Sequence, residues 1–190
     1  RFGYQLTFFR RALLPAQESR QRDSAWGVEQ VYMAHFALSD VAGEKHYAFE
    51  RFTRGAVGLA GAQADPFQVW LEAWEVVQSA NGEYRLKAEQ DGIKIDLTLN
   101  DIKGPIFHGQ QGYSQKGRNP GNASYYFSQT RLETVGTVKV DGKKFPVSGL
   151  SWMDHEFSTS ALSEGQVGWD WFSIQLDNEA ELMVFQIRRS

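Results

Sequence analysis

Asp91-Gly92-Ile93-Lys94-Ile95-Asp96-Leu97-Thr98-Leu99-Asn100 is the stretch that decides the fold. Four aliphatic side chains alternate with four polar ones, and in an extended strand successive side chains point to opposite faces. One face is buried and the other wet, the pattern of an antiparallel sheet. Asp91-Gly92 supplies the positive φ that a tight hairpin needs, and Asn81-Gly82 and Asp141-Gly142 repeat that signal. Asp177-Asn178 is a weaker turn of the same kind. Between such turns Tyr4, Leu6 and Phe8 alternate, with Phe9 on the other face. Val69, Leu71 and Ala73 oppose Trp70, Glu72 and Trp74, and Leu182 and Val184 oppose Met183, Phe185 and Ile187. Roughly ten strands with this spacing predict an all-β antiparallel sandwich or barrel. No helical stripe runs long enough to compete.

Two stretches break the rhythm. Residues 55–65 are small and flexible, without a strand pattern. Residues 104–121 hold His108, Tyr113 and Lys116 among five glycines and two prolines. They read as a long loop, either a binding element or a plain surface excursion.

The composition narrows the function. With 190 residues, 42% apolar and 23% charged, the chain suits one ordinary globular domain, or one domain and a fragment of another. A net charge of −3 offers no basic patch, which argues against nucleic acid. The absence of Cys excludes disulfides, thiolate catalysis and cysteine-ligated metals. No apolar run approaches the roughly 20 residues of a membrane-spanning helix. Phe2-Gly3-Tyr4 and Met183-Val184-Phe185 read as strand interiors, so the expectation is a domain truncated at both ends.

Ser151-Trp152-Met153-Asp154-His155-Glu156-Phe157 carries the chemistry. Trp152, Asp154 and Glu156 share one strand face, and Met153, His155 and Phe157 the other. Burial beside rings disfavours a charged carboxyl, which is how a protein keeps a proton donor at neutral pH. Asp154 is thus expected to be partly buried in an aromatic cavity, or else a structural carboxylate tied to a donor. His155 faces away from it and reads as structural. The chain's 6 Trp, 7 Tyr and 13 Phe are enough to line a pocket for an apolar ligand. Trp169-Asp170-Trp171 repeats the aromatic–acid pattern, with ordinary core filling as its plain reading. Arg10, Arg51, Arg54 and Arg131 could pair with Asp170 or Glu50. Metal-ligand spacing is missing: no zinc helix motif occurs, and the strand splits Asp154, His155 and Glu156 between faces. Gly149-Leu150-Ser151-Trp152-Met153 lacks the second glycine of a nucleophile elbow, and the glycines of residues 55–61 precede no Lys-Ser or Lys-Thr pair.

Several motifs together make a resemblance: Phe2-Gly3-Tyr4-Gln5-Leu6-Thr7-Phe8-Phe9-Arg10, Ala34-His35-Phe36, His108-Gly109, Gly121-Asn122-Ala123-Ser124-Tyr125-Tyr126-Phe127-Ser128, the Ser151–Phe157 stretch and Gly168-Trp169-Asp170-Trp171. Across essentially the whole chain they resemble the AttH family, which is related to the carotenoid hydratases (CrtC, hydroxyneurosporene synthase). The resemblance implies a lipocalin-like, calycin-type barrel, the N-terminal domain of a duplicated two-barrel protein. It also implies a first strand and a second lipocalin-like domain beyond residues 1–190, and a periplasmic or secreted rather than cytoplasmic location. In the hydratase branch an Asp two residues after a Tyr protonates a carbon–carbon double bond, with a His and a Trp two residues apart on an earlier strand. Asp154 matches that Asp, and Trp152 stands in the place of the Tyr. Tyr125 and Phe127 match the His and Trp, so the acid is kept and the His is lost.

The functional expectation is a protein that binds a lipid or isoprenoid-like ligand, with hydratase-like acid chemistry and neither cofactor nor metal. Asp154 and Tyr125 are the candidate catalytic residues. Trp152, Phe127, Trp169, Trp171, His108 and Glu156 are the candidate ligand contacts. A non-catalytic lipid carrier is the rival, and a secreted hydrolase a third reading that no nucleophile supports.

Overall fold

A computed structural model of the chain describes residues 1–13, 29–117, 121–158 and 163–190. The strands pair antiparallel, and no helix occurs among the described residues. The protein is all-β. It divides into two compact units, Arg1–Leu99 with Thr134–Ser148, and Asn100–Glu133 with Gly149–Ser190.

The first unit holds β1 (Phe2–Ala12), β2 (Gln30–Asp40) and β3 (Lys45–Arg54), a three-stranded sheet in that order. It also holds the meander β4 (Ala60–Ala64), β5 (Phe67–Leu71), β6 (Trp74–Gln78), β7 (Tyr84–Gln90) and most of β8 (Ile93–Asp101). Its core follows from alternation. Ile93, Ile95 and Leu97 of β8 are buried as their spacing predicts, facing the same interior as Phe36, Leu38, Leu71 and Trp74. Phe36 meets Trp74 edge to face with centroids 5.7 Å apart. Trp74 is affordable there because its indole N–H donates to the Glu89 carbonyl at 3.0 Å. Fully burying each such side chain stabilises the fold by about 1.5–3 kcal/mol.

The hairpin turns fall where the sequence puts them. Asp91 and Gly92 both have positive φ, and so do Asp141 and Gly142. Two other stretches differ from their reading. Residues 69–74 are not one strand. Glu72 turns the chain with φ 55°, and Leu71 pairs with Trp74 across a hairpin. Both are buried, although three residues apart they would face opposite ways in a continuous strand. Residues 60–64, read as irregular, form β4, because Gly61 leaves room for the Trp70 indole across the pair. A Cβ at Gly61 would lie 2.4 Å from that ring. The described chain thus has fourteen strands rather than about ten.

The second unit is built on β11 (Ala123–Val140) and β12 (Lys143–Phe157), which pair and pass through both units. β9 (Pro105–Phe107) and β10 (Tyr113–Gln115) pair with β11 there. The expected loop of residues 104–121 therefore carries two three-residue strands, and its residues 118–120 lie outside those described. β13 (Gln166–Gln175) and β14 (Glu181–Arg189) form a hairpin of their own around Asp177-Asn178.

Candidate functional site

The site starts from β11. Its residues alternate, so Ser124, Tyr126 and Ser128 share a face, and all three are buried. Asp154 on β12 meets that face. Its Oδ1 accepts from Tyr126 Oη at 2.8 Å, Ser128 Oγ at 2.5 Å and Trp152 Nε1 at 3.0 Å. Two of these donors are backed by others. Trp171 Nε1 lies 3.2 Å from Tyr126 Oη and donates to it. His108 Nε2 lies 2.6 Å from Ser128 Oγ, and its ring packs on Tyr126 with centroids 4.2 Å apart. Oδ2 takes part in none of these bonds.

A second pair completes the face. Glu156 Oε1 accepts from Ser124 Oγ at 2.5 Å and pairs with Lys116 Nζ at 2.8 Å. The Lys116 ammonium also stands 4.9 Å from the Tyr126 ring centre and 4.6 Å from that of Phe185. Burial, helped by the nearby Asp154 charge, pushes the Tyr126 phenol well above its ordinary range. Burial lowers the His108 imidazole below its ordinary 6.5, with Lys116 adding to it and Asp154 and Glu156 opposing.

Of the residues proposed from sequence, Trp152, Trp171, His108 and Glu156 are brought together with Asp154. Tyr125 and Phe127 are not. They lie on the opposite face of β11, in two cross-strand rows of rings. Tyr125 stacks on Phe157 at 5.4 Å and meets Tyr113 at 6.0 Å. Phe127 contacts His155 at 5.1 Å and Phe107 at 6.0 Å. His155 does turn away from Asp154, as alternation requires. This ring surface is exposed, 56% for Tyr125 and 60% for Phe107. Trp169, two residues before Trp171 on β13, is also more than half exposed. Asp154 itself is exposed rather than enclosed. The expectation failed in its premise, because the rings beside Asp154 are a Tyr and a Trp, whose O–H and N–H groups turn towards the carboxylate.

Sequence reasoning missed Tyr126, Ser128, Ser124 and Lys116. The signal was present: in Ser124-Tyr125-Tyr126-Phe127-Ser128 only Tyr126 shares a face with the two serines, the partners a carboxylate wants. The guessed arginine partners also change. Asp170 pairs with Arg188 at 3.5 Å, Glu50 bonds His35 at 3.1 Å, Arg51 pairs with Glu72 at 3.0 Å, and Arg131 holds Glu181 at 2.6 Å.

The chain belongs to the AttH-like family, whose model matches residues 1–190. It is similar to the crystal structure of a Nitrosomonas europaea protein assigned as an AttH, with a TM-score of 0.85 and 34% identity over 99% of this chain and 55% of that one. It is also similar in fold to kievitone hydratase from Nectria haematococca, with a TM-score of 0.59 and 14% identity over 86% of this chain and 53% of that one. The chain thus spans about half the length of both structures. No match was found among curated proteins.

Proposed function

We propose that this chain is a lipocalin-like, hydratase-type domain related to the carotenoid hydratases, in which Asp154 initiates the addition of water to an alkene of an apolar, isoprenoid-like ligand. One observation carries the reading: three donors converge on Oδ1 of an exposed carboxyl, which fixes its orientation and leaves Oδ2 outside those bonds. The shared fold with a hydratase and the AttH-like family are consistent with it. Oδ2–H protonates one alkene carbon, and the π pair becomes the new C–H bond. The cation left on the other carbon is met by ring faces, for which Trp152, bonded to the acid, and Trp171, bonded to Tyr126, are the candidates. Water adds to it, and the oxonium returns its extra proton to the Asp154 carboxylate, so the net reaction is alkene plus water to alcohol. Tyr126, and not Tyr125, is the tyrosine that holds the acid. In the same reading the domain works beside a second lipocalin-like domain.

A hydrolase reading has Ser128, His108 and Asp154 to draw on, yet their order is wrong for it. A nucleophilic serine gives its proton to the His, which the Asp orients. Here Ser128 lies between the two, donates to the Asp, and is 0% exposed.

The test is solvent extraction of the purified protein, identification of the bound lipid by mass spectrometry, and incubation of that lipid in ¹⁸O-water. An ¹⁸O-alcohol formed by the native protein and lost in Asp154→Asn, with ligand affinity within a few-fold, is the expected outcome. Unchanged lipid with the native protein leaves a carrier, and alcohol formation that survives Asp154→Asn removes the acid.

A further inference from the structure

Every donor to Asp154 but one has a fixed sense. The indole N–H groups of Trp152 and Trp171 can only donate, and Trp171 thereby commits the Tyr126 hydroxyl hydrogen to Asp154. His108 differs, since a neutral imidazole can present either an N–H or a lone pair at Nε2. We propose that His108 is a positioning residue for Asp154: its Nε2–H holds the Ser128 hydroxyl as a donor to Oδ1, and this keeps the carboxyl's proton on Oδ2. The inference rests on the reading of Asp154 as the proton donor.

The argument is a count of hydrogens. Ser128 Oγ has one hydrogen and lies 2.5 Å from Asp154 Oδ1 and 2.6 Å from His108 Nε2. With both contacts as hydrogen bonds, the hydrogen goes one way and the other partner must supply its own. If it goes to Asp154, His108 carries Nε2–H. If it goes to His108, Asp154 must carry a proton on Oδ1, where Tyr126 and Trp152 already aim theirs. In the first arrangement an unprotonated Oδ1 accepts all three hydrogens, and in the second a protonated Oδ1, a poorer acceptor, must still take those of Tyr126 and Trp152. Ser128 is fully buried, so no bulk water relieves the choice.

His108 therefore governs which oxygen of the acid is protonated without touching a ligand. The groups facing it favour the neutral ring in which this tautomer matters. The Tyr126 ring packs on it, and its burial outweighs the Asp154 and Glu156 charges that Lys116 opposes. Protonation at low pH retains the Nε2–H and adds a charge. The neutral Nδ1–H tautomer is the state that would release Ser128.

The experiment is NMR of the ¹⁵N-histidine, ¹³C-aspartate labelled protein without any ligand, with His108 assigned by its loss in His108→Gln. The native protein at pH 7.5 is expected to show a protonated Nε2 and a bare Nδ1. His108→Phe keeps a ring on Tyr126 but cannot donate, and should move the Asp154 carboxyl-carbon resonance. His108→Gln, whose amide can donate, should return it towards the native position. If the Phe variant fails to fold, Ser128→Ala serves, and should relax the tautomer preference of His108. A bare Nε2 in the native protein overturns the proposal, as does a carboxyl resonance indifferent to both variants, or a tautomer indifferent to Ser128→Ala. None of these readouts needs turnover, so failure of the hydratase reading in ¹⁸O-water would be seen separately.

Discussion

Tyr126 is nearly inaccessible, and its hydroxyl joins Trp171 to Asp154. Because burial raises its folded ionisation point above the ordinary 10, the unfolded chain gives up this proton first. Stability contributed by the neutral phenol is therefore complete below pH 10 and falls as pH rises beyond it. Alkaline unfolding of Tyr126→Phe should lack that component, while at neutral pH the variant loses about 0.5–1.5 kcal/mol for the missing hydrogen bond. Chemical denaturation at pH 7 and pH 11 checks both. His108 acts at the other end. Its folded value lies below 6.5, so the unfolded chain binds the proton more readily, and stability declines as pH falls through that value. A titration of midpoint between pH 7.5 and 5 should be flatter in His108→Gln. At this scale Asp154 and its Trp152 neighbour were legible, because strand alternation is local. The choice of Tyr126 over Tyr125 was not, since the strand's alternation was read without asking which face could hydrogen-bond.

Turns and close approaches govern the elements. Gly136 on β11 has φ 153°, and a Cβ there would stand 2.2 Å from the Asp96 carbonyl and 2.9 Å from Leu97 Cα. Both obstacles are backbone, so no side chain can move aside. Gly136→Ala should cost at least about 1–3 kcal/mol, the usual scale of enforced backbone strain, and a smaller loss in the denaturation midpoint would show that β11 can shift. β14 is held differently. Glu181 takes Arg131 at 2.6 Å and a close Lys103 contact. Burial pushes its carboxyl up, but the two cations outweigh it and hold it below the ordinary 4.5. That contribution is present above pH 4.5 and lost as pH falls further, so Glu181→Gln should remove the difference in β14 amide protection factors between pH 6 and pH 4. The turns at Asp91-Gly92 and Asp141-Gly142 were legible because their residues tolerate positive φ cheaply. The Glu72 turn was not, since glutamate has no such preference. Only the parity of Leu71 and Trp74 betrayed it.

Across the molecule, the two units bury different things. The first closes over aliphatic and aromatic side chains, and Leu97→Ala there should cost about 2–5 kcal/mol. The second buries hydroxyls and leaves much of its apolar area outside. On β13 and β14, Phe172 pairs with Val184 and Ile174 with Leu182, and all four are exposed. A two-stranded hairpin is marginal by itself. Amide exchange should therefore be slowest in β6 to β8 and fastest in β13 and β14, and uniform protection would contradict this division. The all-β class was legible from β8 alone. The contents of each face were not, because alternation says that two faces differ without saying which rings have a polar edge to offer.

The indoles of Trp152 and Trp171 stand 6.3 Å apart at 78°, one bonded to Asp154 and the other to the phenol beside it. Two chromophores that close and that nearly perpendicular share their excited states, and should give a paired signal of opposite signs in circular dichroism. Anything that comes to rest against Asp154 must disturb that pair. The protein therefore carries its own optical reporter, and candidate ligands can be screened by light without a label or an assay.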